Sequence, residues 1–157
     1  GLTCGNEICQ IFNMDKLNIK RRKANFIPYR KRGEDLEFYL SLRSKDSKQY
    51  PDIWSFWGGG IDEGESEEEA MLREMMEELT WRPTSYKSLG VFYDSMPNEK
   101  HIYYGEVDGD FENQIEIHES QGGKFFTLIE VESEEKMIKE DKEIITKLHI
   151  ALKRRLI

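Results

Sequence analysis

The sequence predicts an α/β fold in which helices pack on a layered sheet, and three observations carry that prediction. Leu36, Phe38, Leu40 and Leu42 alternate with Glu37, Tyr39, Ser41 and Arg43, the period of a strand. Ser66–Leu79 repeats instead with the period of a helix, with Leu72, Met75, Met76 and Leu79 at i, i+3, i+4 and i+7. A second helical pattern closes the chain over roughly Glu134–Arg155, with Ile138, Ile145, Leu148 and Leu152 facing inward. The 157 residues fit one domain, 1–157, long enough to bury a core without cross-links.

The other elements follow in order. Asn6–Met14 is apolar in patches, and residues 1–22 are expected to form an arm or an extra strand. Ala24–Tyr29 reads as a strand, and Pro28 within it predicts an edge or a bulge. Arg32-Gly33-Glu34-Asp35 is a turn, so Ala24–Tyr29 and Leu36–Arg43 form a hairpin. Ser44–Asp52 is a polar loop, followed by the short aromatic run Ile53–Trp57 and three glycines, Gly58, Gly59 and Gly60. Ser66 and Glu69 have the spacing of a capping box, which starts the central helix. Tyr86–Tyr93 and His101–Val107 read as strands around a turn at Pro97-Asn98. Gln114–His118 and Phe125–Leu128 are short extended pieces, and Gly122-Gly123 breaks the chain between them.

No apolar run approaches the roughly 20 residues of a membrane span, and the first residues lack the apolar core of a signal peptide. Two cysteines, Cys4 and Cys9, imply neither a disulfide framework nor a metal site of their own, and a cytoplasmic protein with two thiols is expected. Charge is uneven. Residues 62–78 hold nine acids and one base, Arg73, so the whole net charge of −8 sits in one window. A cluster this dense points to cations. Residues 16–32 carry eight bases and no acid. A solvated arm and hairpin end accounts for them, and a phosphate-contacting surface is the alternative. Nucleic acid is disfavoured as a partner, because no aromatic platform is interleaved there.

On the central helix the apolar stripe faces one side, and Glu74, Glu77 and Glu78 share the other at i, i+3 and i+4. Like charges at this spacing repel by a few tenths of a kcal/mol each. One or two divalent ions would reverse the sign, and hard oxygen ligands suit Mg2+ or Mn2+. Counting outward from Gly59, five residues lead to Glu65 and seven more to Arg73-Glu74-Met75-Met76-Glu77-Glu78.

This spacing resembles the Nudix box, G-x5-E-x7-R-E-U-x-E-E-x-G-U with U a bulky apolar residue. It covers Gly59–Trp81, and the strand order fits the family loosely over most of the chain. The departures are Thr80 in place of the usual glycine, which predicts a reshaped turn after the helix, and Trp57 where many relatives have proline. The resemblance implies an α/β/α sandwich with a central mixed sheet between helices. It implies that Glu74, Glu77 and Glu78 ligate metal, that the carbonyl of Gly58 completes the shell, and that Arg73 and Glu65 form an orienting ion pair. It also implies a further glutamate from a later loop, Glu119, with Glu116 as fallback.

The implied activity is metal-dependent cleavage of a nucleoside diphosphate-linked small molecule. A (d)NTP cut to NMP and pyrophosphate is the expected case. Nucleotide sugars or ADP-ribose are the alternative, and a non-catalytic nucleotide-binding module is the reading from another class. Arg30 and Arg43 are candidates for holding phosphate, and Phe125, Tyr29, Tyr50 and Trp54 for the base, although core packing is the first reading of each aromatic. His101 and His118 read as surface or loop histidines. A monomer or a homodimer is expected.

Overall fold

The computed structural model describes residues 21–157. The expectations for Asn6–Met14, Cys4, Cys9, Lys16 and Lys20 lie outside the described residues.

The frame is a seven-stranded mixed sheet. Strand β1 (Arg21–Arg32) turns at Gly33 into β2 (Asp35–Leu42). Two short strands follow, β3 (Trp54–Ser55) and β4 (Trp57–Gly60). After helix α1 (Glu67–Leu79) come β5 (Lys87–Tyr93) and β6 (Asn98–Glu106). A single turn of helix, α2 (Phe111–Gln114), leads to β7 (Gly122–Thr127), α3 (Leu128–Ser133) and α4 (Lys139–Lys153). The order is β3-β2-β1-β6-β5, with β4 also on β1 and β7 also on β2. β1 runs parallel to β6 and antiparallel to β2 and β4.

β1 is therefore a central strand, which corrects the edge expected from Pro28. β1 pairs with β4 from Lys23 to Phe26 and with β2 from Tyr29 to Arg32. Pro28 falls in the gap where the neighbour on that side changes, a place where the ladder breaks anyway.

Two cores flank the sheet. On one face Ile27, Phe38, Leu40, Ile102 and Phe126 pack with Ile144, Ile145 and Leu148 of α4. On the other, Phe26, Tyr39, Trp57 and Phe111 pack with Ala70, Met71, Met75 and Leu79 of α1. This is the helix–sheet–helix sandwich. The alternation in β2 thus sorts residues between two buried faces, since Tyr39 is nearly as enclosed as Phe38. Trp57 stacks on Tyr39 at 5.7 Å, and its Nε1 donates to the Tyr39 carbonyl, so the bulk in place of proline is fully used.

Four other expectations change. The buried stripe of α1 is Ala70, Met71, Met75 and Leu79, whereas Met76 is 48% exposed, because the sheet approaches from a slightly rotated direction. The closing segment is two helices, broken between Ser133 and Lys139. Gln114–His118 is not a strand. Its Glu116 and His118 amides donate to the carbonyls of Leu79 and Glu78, satisfying groups that a helix end leaves orphaned. Thr80 keeps the left-handed conformation (φ 49°) rather than reshaping the turn, and its hydroxyl meets the His118 ring at 2.8 Å. That geometry costs a β-branched residue on the order of 1 kcal/mol, which the bond to His118 partly offsets.

Candidate active site

The capping box of α1 forms as expected: Ser66 Oγ accepts from the Glu69 amide, and Glu69 accepts from the Ser66 amide. The helix start is thereby fixed against the end of β4, and the acidic turn faces the glycine strand. Gly59 makes this approach possible, and Gly58 lets β4 lie close against β1. A Cβ on Gly58 would collide with the Ala24 carbonyl, and one on Gly59 would stand 2.7 Å from Glu74 Oε1.

Arg73 organises the acids. Its Nε and Nη2 hold both oxygens of Glu65 at 2.6 and 2.9 Å, Nη2 also reaches the Gly60 carbonyl, and Nη1 takes Glu74 and Glu77 at 3.1 and 3.2 Å. The Glu65 carboxyl is held down to about 2 by its hydrogen bonds from Arg73. Arg73 is correspondingly raised, chiefly through Glu65. Glu78 accepts from the Gly58 amide at 2.7 Å. Burial pushes Glu78 up to about 8 despite that bond, and the Glu74 and Glu119 carboxylates push the same way. Burial also raises Glu74, against the pull of Arg73.

A cleft of about 300 Å³ opens beside these groups. Glu74, Glu77, Glu78, Glu119, Gly58 and Gly59 line it, and Arg43 stands in it as well. Glu119 reaches it from the loop stitched at one end to α1 by the His118 amide and at the other to β2 by Ser120 Oγ on the Leu42 carbonyl. Glu116 is exposed and does not line the cleft.

Arg30 and Phe125 are not brought there. Arg30 lies at the far end of β1, bonded to Glu37 at 2.7 Å and stacked 3.7 Å above Phe125. Phe125 is itself core, 4.7 Å from Tyr39. Tyr29 and Trp54 pack in the opposite core, and Tyr50 meets Ser95 outside the cleft. His101 bonds Glu99.

Sequence reasoning held Arg21 and Lys23 only within the basic run 16–32, whose alternative reading was a phosphate-contacting surface, and did not single out the rest of the lining: Asn25 of β1, with Ser41, Ser44 and Ser47. The signal was present. Residues 21, 23 and 25 are polar at the period of a strand, while Ala24 and Phe26 beside them are apolar.

The donors suit a hard divalent cation in kind: four carboxylates, two of them with pKa values raised chiefly by burial. Among the described residues no three acids or imidazoles yet stand close enough to hold a metal ion. The reason is visible. Arg73 draws Glu77, whose side chain is 58% exposed, toward itself, and Glu78 is engaged by Gly58. The residues fit the group, with Glu77 the side chain that has room to turn.

Sandwich, glycine strand and acidic helix together define the class: an α/β protein whose cleft combines crowded helix carboxylates with cationic strand residues. The NUDIX domain model matches residues 19–148, and the chain belongs to the NUDIX family. An RNA pyrophosphohydrolase of a Nitratiruptor species is 38% identical over 66 residues, 42% of this chain and 40% of that protein. A putative 8-oxo-dGTP diphosphatase of Bacillus subtilis (strain 168) is 34% identical over 58 residues, 36% of this chain and 39% of that protein. The matches thus span about two-fifths of the length of these curated relatives. In structure, the chain resembles a C. elegans Ap4A hydrolase with a TM-score of 0.67 and 20% identity, over 84% of this chain and 97% of the other, a likeness of fold. Among the described residues no helix is long and apolar enough to cross a membrane.

Proposed function

We propose that this protein is a Nudix hydrolase that cleaves phosphoanhydride bonds with the help of divalent metal, acting on a nucleoside diphosphate-linked substrate. The observation that carries the reading is that Glu74, Glu77, Glu78 and Glu119 line one cleft together with Arg21, Lys23 and Arg43. A binding surface for a simple cation needs no cationic wall, and a plain anion site would not carry four carboxylates.

Glu74, Glu77, Glu78, Glu119 and the Gly58 carbonyl would hold Mg2+ or Mn2+. The metal would supply charge neutralisation of the phosphates and a more acidic water. The chain's own residues do the rest. Arg73, itself held by Glu65, orients Glu74 and keeps Glu77 beside the cleft, and Glu77 would have to turn to join the other carboxylates on a metal. Arg43 carries positive charge to the phosphate side. Glu119, drawn from a separate loop, is placed either to ligate or to take the proton of the attacking water.

The activities named for the two relatives both concern a pyrophosphate linkage on a nucleotide. They support a nucleoside triphosphate or an RNA carrying a phosphoanhydride, such as a 5′-triphosphate, ahead of nucleotide sugars and ADP-ribose. The test is release of phosphate and pyrophosphate from a panel of these compounds with Mg2+ or Mn2+. We expect turnover of at least one, abolished by chelator, and a loss in kcat of about 100-fold or more in Glu78→Gln. Full activity of that variant would sink the assignment, as would silence of the wild type across the panel.

A further inference from the structure

A buried lysine normally has a carboxylate beside it, and Lys100 obeys that rule. It is 5% exposed and bonds Asp141 at 2.9 Å and Asp94 at 3.1 Å. Burial alone would lower it, but the two carboxylates outweigh burial and it is raised. Lys23, 6% exposed, does not obey it. Its Nζ donates to the neutral side-chain oxygen of Gln49 at 3.2 Å. Arg43, half-buried nearby, donates from Nε to the main-chain oxygen of the same Gln49 at 3.1 Å and from Nη2 to Ser47 Oγ at 2.6 Å. Among the described residues neither cation has a carboxylate within ion-pair distance. Burial pulls Lys23 down to about 8, and the charges of Arg43, Lys100 and Arg21 add to the pull.

Two desolvated cations that face a cleft and hold only neutral oxygens are short of an anion. The acceptors that occupy them come from one irregular loop, residues 43–53, rather than from the sheet. A phosphate bearing a charged oxygen offers a hydrogen bond roughly twice as strong as an amide or a hydroxyl can. Gln49 and Ser47 therefore sit where such a group would win.

We propose that Lys23 and Arg43 together anchor a phosphate group of the substrate, and that in the ligand-free protein Gln49 and Ser47 hold their donors as neutral stand-ins which that phosphate displaces. This assignment rests on the phosphoanhydride-hydrolase reading for the identity of the anion. It adds Lys23 as a substrate-binding residue and makes the β2–β3 loop a latch that substrate binding releases.

The experiment is calorimetric titration of imidodiphosphate, a pyrophosphate analogue that resists hydrolysis, at saturating magnesium. It is run on wild type, Lys23→Met, Lys23→Arg and Gln49→Ala, alongside nucleotide hydrolysis by each. Lys23→Met should weaken the analogue about tenfold or more. It should raise KM by a similar factor and leave kcat within about threefold, and Lys23→Arg should recover part of the loss. Gln49→Ala removes the competing oxygen and should tighten the analogue several-fold, a gain that a merely structural glutamine would not give. Circular dichroism and melting curves establish that each variant is folded. Wild-type affinity in folded Lys23→Met overturns the anchor, as does failure of the wild type to bind the analogue. Unchanged or weaker binding in Gln49→Ala overturns the stand-in. A wild type that binds through Lys23 yet hydrolyses no nucleotide would leave the anchor and remove the hydrolase reading. Turnover that is indifferent to Lys23 would do the reverse.

Discussion

The two ends of β1 have nearly the same composition and opposite physics. At its start stand Arg21, Arg22, Lys23 and Asn25, of which Arg22 is exposed and paired with Glu67 and Glu99, and at its end Arg30, Lys31 and Arg32. At the far end the charges are compensated: Arg30 meets Glu37 at 2.7 Å and Glu112 at 3.8 Å, and Lys31 meets Glu106 at 3.7 Å. At the near end Lys23 has a neutral amide, and the cleft beyond holds glutamates that already crowd one another. A cation that is paired at home stabilises the fold. One that is buried without an anion costs stability, and that cost is tolerated where a ligand repays it. Basic composition alone therefore does not locate a phosphate site; the pairing of each base does.

The comparison breaks most easily through binding. Arg43→Met and Arg30→Met remove the same group from opposite ends of the hairpin. If the near end holds phosphate, Arg43→Met raises KM for the best nucleotide about 10- to 100-fold, whereas Arg30→Met changes it less than about threefold. Steady-state kinetics on the two folded variants decide the matter, and equal effects would erase the distinction.

Stability should respond with opposite signs. Lys23 is lowered from the usual 10.5 to about 8. Below pH 8 the lysine is charged in both the folded and the unfolded chain, and the full cost of burying the charge is borne. Between pH 8 and 10.5 the folded lysine gives up its proton first. The unfolded chain then binds more protons and stability rises with pH. Lys23→Met should accordingly melt about 3 °C or more above wild type at pH 7, with the gain shrinking as pH approaches 10. Arg30→Met should melt lower, by about 2 kcal/mol, because it strands the buried Glu37 and uncovers the Phe125 ring. Scanning calorimetry between pH 6 and 10 reads both, and a destabilised Lys23→Met would show that Gln49 compensates the charge after all.

These contrasts also mark what could be read from the chain. The capping box and the acidic turn are fixed by helical spacing, and they were legible because an α-helix converts sequence intervals directly into geometry, whereas the Arg73–Glu65 pair, with Glu65 outside the helix, came only through the resemblance to the Nudix box. The glycine strand was not legible: Gly58, Gly59 and Gly60 read as a break after Ile53–Trp57, and only pairing with β1 makes Trp57–Gly60 a strand. Lys23 was not, because its lack of a partner depends on what β2, β4 and the 43–53 loop bring near it, and one-dimensional spacing carries none of that. Pro28 misled for a related reason: its penalty vanishes only because two different strands share one side of β1. Phe125 and Arg30 looked like ligand groups singly and prove to be each other's partner. Thr80 shows the opposite failure, where local preference predicted a reshaped turn and the tertiary bond to His118 held the left-handed one.

The smallest effect belongs to Lys31, and it tests whether the far end is merely solvated. Its side chain is 65% exposed and meets a similarly accessible Glu106 at 3.7 Å. Exposed pairs of this kind contribute roughly 0 to 1 kcal/mol, and salt screens what remains within about 10 Å. Lys31→Ala should therefore leave the melting temperature within about 1 to 2 °C and leave KM unchanged for every nucleotide in the panel. A 5′-triphosphorylated RNA is the discriminating substrate, because its chain would extend beyond the cleft and reveal a second contact. If Lys31→Ala weakened that substrate while sparing a mononucleotide, the basic hairpin end would be guiding a longer strand, and the division between a binding end and a structural end of β1 would have to be redrawn.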